Sequence, residues 1–452
     1  VKGRPLAISV FALACAFATG QSTPIDAVNA LKARGLTDLK AYDMLKELSD
    51  GIGSRLNGSE GQKKAVEWAE ATMRKLGFQN VGRQAVMVPH WVRGDVERCG
   101  LVGGDSLTIC ALGNSSATPA GGLSAEAVEV HSLQEVQSLG SKLKGKIVFY
   151  NRPFDPTLVS TGAAYGTAGD QRFSGPAAAA KQGAAAVLVR SMTDDHDDVP
   201  HTGTTVFGDG PKIPAAALSL VAADRLSAAL KTDPHQQVNL ELHCETLPDV
   251  ESANVTGDII GSEKPNEIIV MGGHLDSWDK GRGAHDDGAG VVHAMEALRI
   301  IKECGFHPKR TIRVVLWMNE ENTGTGARAY ADYVKTAKEK HIAAMESDSG
   351  GFAPRGFGTS LKGARAARLN RWLPAFNIVQ LGFFNPGGES GADVEGLEPL
   401  GVAVFGLDVE LQRYFDYHHS DKDTIDKVHP RELELGAISM ALLAWLISEN
   451  GV

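Results

Sequence analysis

Four short stretches of this 452-residue chain carry side chains whose types and spacing suit hydrolytic metal chemistry. In the first, Gly273-His-Leu-Asp-Ser-Trp278, His274 precedes Asp276 by two residues, so an imidazole can bind a metal while a nearby carboxylate orients it from behind. Gly283-Ala-His-Asp-Asp-Gly-Ala-Gly290 follows, with Asp286 among glycines that permit close approach to an ion. A lone His-x-Asp is common and reads at least as well as a structural feature. The second stretch, Trp317-Met-Asn-Glu-Glu-Asn322, ends an apolar run in Glu320 and Glu321. Successive side chains diverge at a strand end, so one glutamate can bind metal while its neighbour faces a water; a solvated turn is the plainer alternative. Asp348 lies in Glu346-Ser-Asp-Ser-Gly350, and His418 and His419 in Tyr417-His-His-Ser-Asp-Lys-Asp-Thr424. Together these stretches supply side chains in the order His, Asp, Glu-Glu, Asp, His, from which two histidines and three carboxylates can serve as ligands. That set suits two zinc ions sharing a bridging carboxylate, with open positions for water. The absence of thiolates from it argues against a structural zinc site.

The elements around these residues must bring them to one place. From about residue 254 the chain alternates strand and helix: strands over 267–271, 311–318 and 341–345, helices over 289–302 and 327–338. Such alternation predicts an α/β fold with a mostly parallel central sheet flanked by helices. Ligands in such sheets bind beyond the carboxyl ends of the strands. His274, Glu320 with Glu321, and Asp348 each follow a predicted strand end. Residues 24 to about 84 read as helical, with apolar spacing over 41–48 and 61–76 around a structured loop at 51–59. Residues 97–250 differ in texture, with short strands at 146–150 and 184–189 and helical stretches at 175–182 and 222–230. They carry no dense group of reactive side chains and read as a non-catalytic α/β insert.

Composition limits the function classes. With 43% hydrophobic and 22% charged residues and a formal net charge of −10, the chain has no basic footprint for nucleic acid. Lys2 and Arg4, the apolar run of residues 6–18 and the small residues after it read as a secretory signal peptide over 1–20. The expected location is secreted or periplasmic, with no membrane association after cleavage. Four cysteines would remain, and Cys99 and Cys110 are close enough to bridge, although spacing alone does not establish a pairing. No Gly-x-Ser-x-Gly elbow or phosphate-binding loop is present, which weighs against serine hydrolases and nucleotide enzymes.

The order and wording of these motifs resemble the co-catalytic di-zinc aminopeptidases, most nearly their carboxypeptidase Q (plasma glutamate carboxypeptidase) branch. The resemblance covers nearly the whole chain after the leader. It includes Ile52-Gly-Ser-Arg-Leu-Asn-Gly-Ser59, Pro89-His-Trp-Val-Arg-Gly94, Pro200-His-Thr-Gly203, Gly272-Gly-His-Leu-Asp-Ser-Trp278 and His418-His-Ser420. It implies a zinc exopeptidase fold whose peptidase domain comprises residues 21–96 and 251–452, with a protease-associated-like domain inserted over 97–250. His274 and Asp348 would hold one zinc, Glu321 and His419 the other, and Asp286 would bridge them. His419 is chosen over His418 because it lies four residues before Asp423-Thr424, the family's spacing. Glu320 would be the general base acting on a water between the ions, and Asp276 the partner of His274. Asp287 is assigned a structural part. Several relatives place a tyrosine immediately before the last histidine ligand; here His418 stands there, and it is expected to supply the oxyanion donor.

The expected function is hydrolysis of dipeptides or short peptides with a free amino terminus by a secreted metallo-exopeptidase. The alternatives are a metal-dependent N-acyl amino acid deacylase and a catalytically inactive binding scaffold. A homodimer is implied by the resemblance alone. Among other polar stretches, Asp194-Asp-His-Asp-Asp198 reads as a surface loop, His293 as facing away from the site, and Glu389-Ser-Gly-Ala-Asp393 as a pocket wall or a turn.

Overall fold

The computed structural model describes residues 23–452, so the expected leader over 1–20 lies outside the described residues. The strands are β1 (Gln79–Val92), β2 (Glu97–Leu101), β3 (Ile109–Ala111), β4 (Leu123–Val130), β5 (Ile147–Tyr150), β6 (Ala186–Arg190), β7 (Ala215–Leu218), β8 (Gln237–Leu242), β9 (Glu245–Ile259), β10 (Lys264–His274), β11 (Arg310–Trp317), β12 (Lys340–Glu346), β13 (Pro354–Thr359), β14 (Phe383–Pro386) and β15 (Ala403–Val409). Eight form a mixed sheet in the order β1-β9-β11-β10-β12-β15-β13-β14, and seven a second sheet in the order β2-β8-β4-β5-β6-β7-β3. The middle of the larger sheet is parallel, from β11 through β10 and β12 to β15. Strands covered on both faces read as unbroken apolar runs, and every residue of β11 is buried.

The helices that matter most to the site are α1 (Pro24–Asp38), α2 (Glu60–Lys75), α3 (Ala289–Glu303), α4 (Thr325–Thr336) and α5 (Pro430–Asn450). Helix α3 starts directly against the ends of β10 and β12, and two glycines permit this. A Cβ on Gly273 would lie 2.3 Å from Asp287 Oδ2, and one on Gly290 1.8 Å from the Ser347 carbonyl oxygen. The catalytic-half strands and α3 fall where periodicity placed them. Helix α4 runs over Thr325–Thr336 instead of the expected 327–338, because Ala337 is already extended.

The helical reading of residues 24 to about 84 needs correction at its end. Helix α2 stops at Lys75, and residues from Gln79 onward form β1, paired antiparallel with β9. As a sheet edge with one neighbour, β1 buries few residues and shows little alternation to read.

The second sheet enters after β1 and returns through β9, with apolar clusters of its own. Trp278, from the loop after β10, is buried in one of them, edge-on to Trp91 with ring centroids 6.4 Å apart. Beside it the buried Arg93 donates to Asp279 at 2.7 and 2.5 Å and to Glu97 at 3.1 Å, tying the entry segment to the catalytic half. Two of the stretches carrying the family resemblance, around Trp91–Arg93 and around Trp278, thus form this junction. The bridge permitted by cysteine spacing is not formed: Cys99 and Cys110 are buried free thiols on β2 and β3, and Cys244 is also free. Among the described residues no helix is long and apolar enough to cross a membrane.

Helix α5 brings a second carboxylate against α3. Glu296 accepts a bidentate pair from Arg299 at 2.7 and 2.5 Å, and Glu434 accepts from the Ala41 amide at 3.2 Å. The remaining oxygen of Glu434, Oε1, is buried without a hydrogen-bond partner, and beside the Glu296 carboxylate this favours a proton on Glu434. Burial, then the Glu296 charge, push the Glu434 carboxyl up to about 9. A folded-state value above the unfolded one gives stability that is complete below the unfolded value near 4.5 and is lost as pH rises toward 9. Glu434→Gln keeps a donor for Glu296 and an acceptor for Ala41 without that proton. It is therefore expected to raise Tm at pH 8.5, by roughly 1 °C per kcal/mol recovered in a chain of this size, and to leave Tm at pH 5 unchanged. Parallel thermal melts at the two pH values check this.

Candidate metal centre

The carboxyl ends of the parallel strands converge with the loop after β15. His274 is the last residue of β10, Glu320 and Glu321 follow β11, and Asp348 follows β12. Asp286 stands between two imidazoles. Its Oδ1 is 3.2 Å from His274 Nε2 and its Oδ2 is 3.1 Å from His419 Nε2. On the outer sides, Asp348 Oδ1 is 3.5 Å from His274 Nε2, and Glu321 Oε2 is 3.0 Å from His419 Nε2. The five expected ligands thus form two adjoining groups that share one carboxylate.

The groups also fit cations chemically. His274 Nε2, Asp286 Oδ2, Glu321 Oε1 and Asp348 Oδ1 are buried with no hydrogen-bond partner. Buried polar atoms are ordinarily satisfied, and unpaired buried charge is costly. Imidazole nitrogens and carboxylate oxygens converging in this way are the donors zinc takes.

Neighbouring residues hold each ligand in place. His274 Nδ1–H donates to the main-chain carbonyl of Asp276 at 3.1 Å, so Nε2 faces inward. Asp276 thus meets His274 through its main-chain carbonyl; its carboxylate, 3.7 Å from His274 Nδ1, accepts from the amides of Asn319 at 2.7 Å and Glu320 at 3.2 Å. Asp276 thus also sets the turn carrying Glu320 and Glu321. Asp287 accepts from the amides of His274 at 3.0 Å and Gly290 at 2.8 Å, consistent with a structural part. Asp423 accepts from the amides of His285 at 2.7 Å and Asp286 at 3.1 Å. Burial raises the Asp423 carboxyl to about 7. Fully buried Arg55 donates to the carbonyls of Leu275 at 2.7 Å, Arg282 at 2.9 Å and Gly283 at 2.9 Å. This props the chain on either side of the site and gives the Ile52–Ser59 loop its part.

Glu320 faces the centre, with Oε2 3.9 Å from His274 Nε2. Burial pushes its carboxyl well above the usual range; His274 opposes, while Asp348 and Glu321 add to the rise. His418 stacks on His419 with ring centroids 3.5 Å apart and places Nε2 3.5 Å from Asp286 Oδ2. Burial, then His419, lower its pKa, so the ring is held neutral.

These residues open into a cavity of about 1050 Å³. Both halves of the chain line it, with Tyr165, Arg172 and Thr204 from the insert and Arg328, Glu389 and Tyr414 from the catalytic half. Sequence reasoning missed Tyr165, Arg172 and Tyr414. Tyr414 lies one helical turn before His418, whose amide donates to the Tyr414 carbonyl at 3.0 Å, and that offset from the family's tyrosine position was its one available sign. Burial first, then Asp286 and Asp348, raise the Tyr414 hydroxyl, so it stays a neutral donor. Glu389 is a wall residue, whereas Asp393 is buried behind it near Glu346. His293 packs away from the cavity, 2.9 Å from Ser347 Oγ. The Asp194–Asp198 turn is a surface feature held by Lys422, which bonds Asp195 and, at 2.9 Å, Asp197.

Residues 254–444 match the model of peptidase family M28. The chain is 35% identical over 428 residues to carboxypeptidase Q of Mus musculus, covering 94% of this chain and 88% of that protein. Among solved structures it resembles a peptidase M28 precursor from Shewanella amazonensis, with a TM-score of 0.90, 35% identity and coverage of 95% and 97% of the two chains. An aminopeptidase from Aneurinibacillus shares the fold, with a TM-score of 0.62, 22% identity and coverage of 92% and 95%.

Proposed function

The chain belongs to peptidase family M28 and is a zinc-dependent exopeptidase, and from that premise we propose that it removes residues from dipeptides or short peptides bearing a free amino terminus. In this reading two zinc ions are held, one by His274 and Asp348, the other by Glu321 and His419, with Asp286 common to both. The observation that carries it is the position of Asp286, with one oxygen 3.2 Å from one imidazole and the other 3.1 Å from the second. Residues 97–250 form an insert that walls one side of the cleft, and a leader over 1–20 would direct export.

Zinc held there would supply Lewis-acid polarisation of the scissile carbonyl and a lower pKa for the attacking water. Glu320 takes the proton from that water on its carboxylate and delivers it to the leaving amine. Asp276 keeps Glu320 in position by accepting from its amide at 3.2 Å. His418, neutral and lining the cavity, donates to the oxyanion of the tetrahedral intermediate. His418→Ala is expected to lower kcat roughly 10²–10³-fold, the usual cost of an oxyanion donor. Tyr414→Phe, made alongside it, is expected to stay within a few-fold of the parent. A His418→Ala enzyme within about twofold of the parent would remove His418 from this role.

The reading is tested with one dipeptide in three forms: unblocked, N-acetylated and C-amidated. Cleavage of the first and third, with the acetylated form resistant, is the expected result. Preferential cleavage of the acetylated form would move the activity to N-acyl amino acid hydrolysis.

A further inference from the structure

The Pro200-His-Thr-Gly203 stretch takes no part in the chemistry above, yet it is where the insert meets the last imidazole ligand. His201 is buried, and its Nδ1–H donates to the His418 carbonyl at 2.7 Å. Its own amide is fixed by Ser191 Oγ at 2.8 Å. The Thr202 amide donates to the His419 carbonyl at 2.8 Å. The Thr202 carbonyl in turn accepts from His419 Nδ1 at 3.3 Å and from Arg172 Nη1 at 3.3 Å. Consecutive residues of the insert therefore hold two successive carbonyls of the ligand loop and the far side of the ligand ring.

His419 needs such support. Its φ is +61°, in the left-handed region that a residue with a Cβ occupies only when its surroundings hold it there. The holding segment is itself pinned: Thr202 Oγ1 donates to the Ala111 carbonyl at 2.8 Å and accepts from Arg93 at 3.3 Å. Gly203, with φ +135°, leaves room for the guanidinium above it, since a Cβ there would stand 2.5 Å from Arg172 Cζ.

We propose that this segment is a positioning element of the metal centre: through His201 and Thr202 the insert sets the ring and backbone of His419, so the ion that His419 holds binds tightly only with the insert seated. The proposal rests on reading His419 as a ligand. Groups that orient a ligating histidine typically govern affinity by about 10–100-fold. Loss of the His201 contact is expected to fall on one of the two ions.

The test uses the full chain with His201→Ala, His201→Asn and His201→Gln, and with His419→Ala as the control. Zinc affinity is measured by competition with a chromophoric chelator, and ligand geometry by the visible absorption of the cobalt(II)-loaded protein. Asparagine places an amide N–H near the position of Nδ1, whereas glutamine reaches toward Nε2. His201→Ala is expected to bind one zinc about 10–100-fold more weakly, leave the other unchanged and shift the cobalt bands, with His201→Asn restoring most of both. Parental affinity for both ions in His201→Ala, with one ion lost in His419→Ala, would overturn the proposal alone. Both ions retained in His419→Ala would overturn the ligand assignment beneath it. Should His201→Ala fail to fold, the Asn and Gln variants decide, and equal zinc affinity in the two would contradict the proposal.

Discussion

Glutamine at position 320 is expected to lower kcat on an unblocked dipeptide by roughly 10²–10⁴-fold, the range that general acid–base groups supply, with zinc content and Tm unchanged. The substitution keeps the size of the side chain and removes its capacity to accept a proton. Glu320 is placed for this work and for little else: its side chain is 23% exposed to the cavity, and its amide is held by Asp276. It stands 3.9 Å from His274 Nε2, outside the closer ring of ligand contacts. A ligand role would instead show as loss of bound zinc, so metal analysis beside the kinetics separates the two. KM is expected to move little, because the proton transfer belongs to the transition state.

Asp286→Ala is expected to have the second large effect, on metal content itself. Each of its oxygens faces a different imidazole, so this one side chain serves both groups. Removing it takes one donor from each group and leaves His274 and His419 with one carboxylate apiece, Asp348 and Glu321. Both zinc affinities should therefore fall by more than the 10–100-fold typical of losing an outer partner, and activity should fall with them. Equilibrium dialysis against buffered zinc measures this. Loss of a single ion with parental affinity for the other would show that Asp286 is a ligand on one side only.

The degree to which sequence revealed this site follows from where each residue sits. His274, Glu320, Glu321 and Asp348 were legible because each ends an apolar run, and parallel strands deliver their carboxyl ends to one edge. His419 follows β15 by a longer loop, and its choice over His418 came from family spacing; the structure brings both rings to Asp286, with His419 nearer at 3.1 Å than His418 at 3.5 Å. Asp276 was found as a partner of His274, but a sequence cannot say that the contact would be through a main-chain carbonyl. Arg172, Tyr165 and His201 were illegible as site residues because they sit on short helices and a loop between strands of the second sheet, and reach the centre only where that segment packs on the rest of the chain. Strand β1 escaped notice because an edge strand needs no strict alternation. The Glu296–Glu434 contact escaped because α3 and α5 are buried nearly all round, which hides a facing pair.

The most direct test of the central claim is a zinc titration of chelator-treated protein, following bound metal and hydrolysis of an unblocked dipeptide in the same samples. The metal-free protein is expected to be inactive, cleavage to return with added zinc, and binding to saturate at two ions per chain. Cleavage by the metal-free protein, or saturation of binding at a single ion with full activity, would contradict that claim.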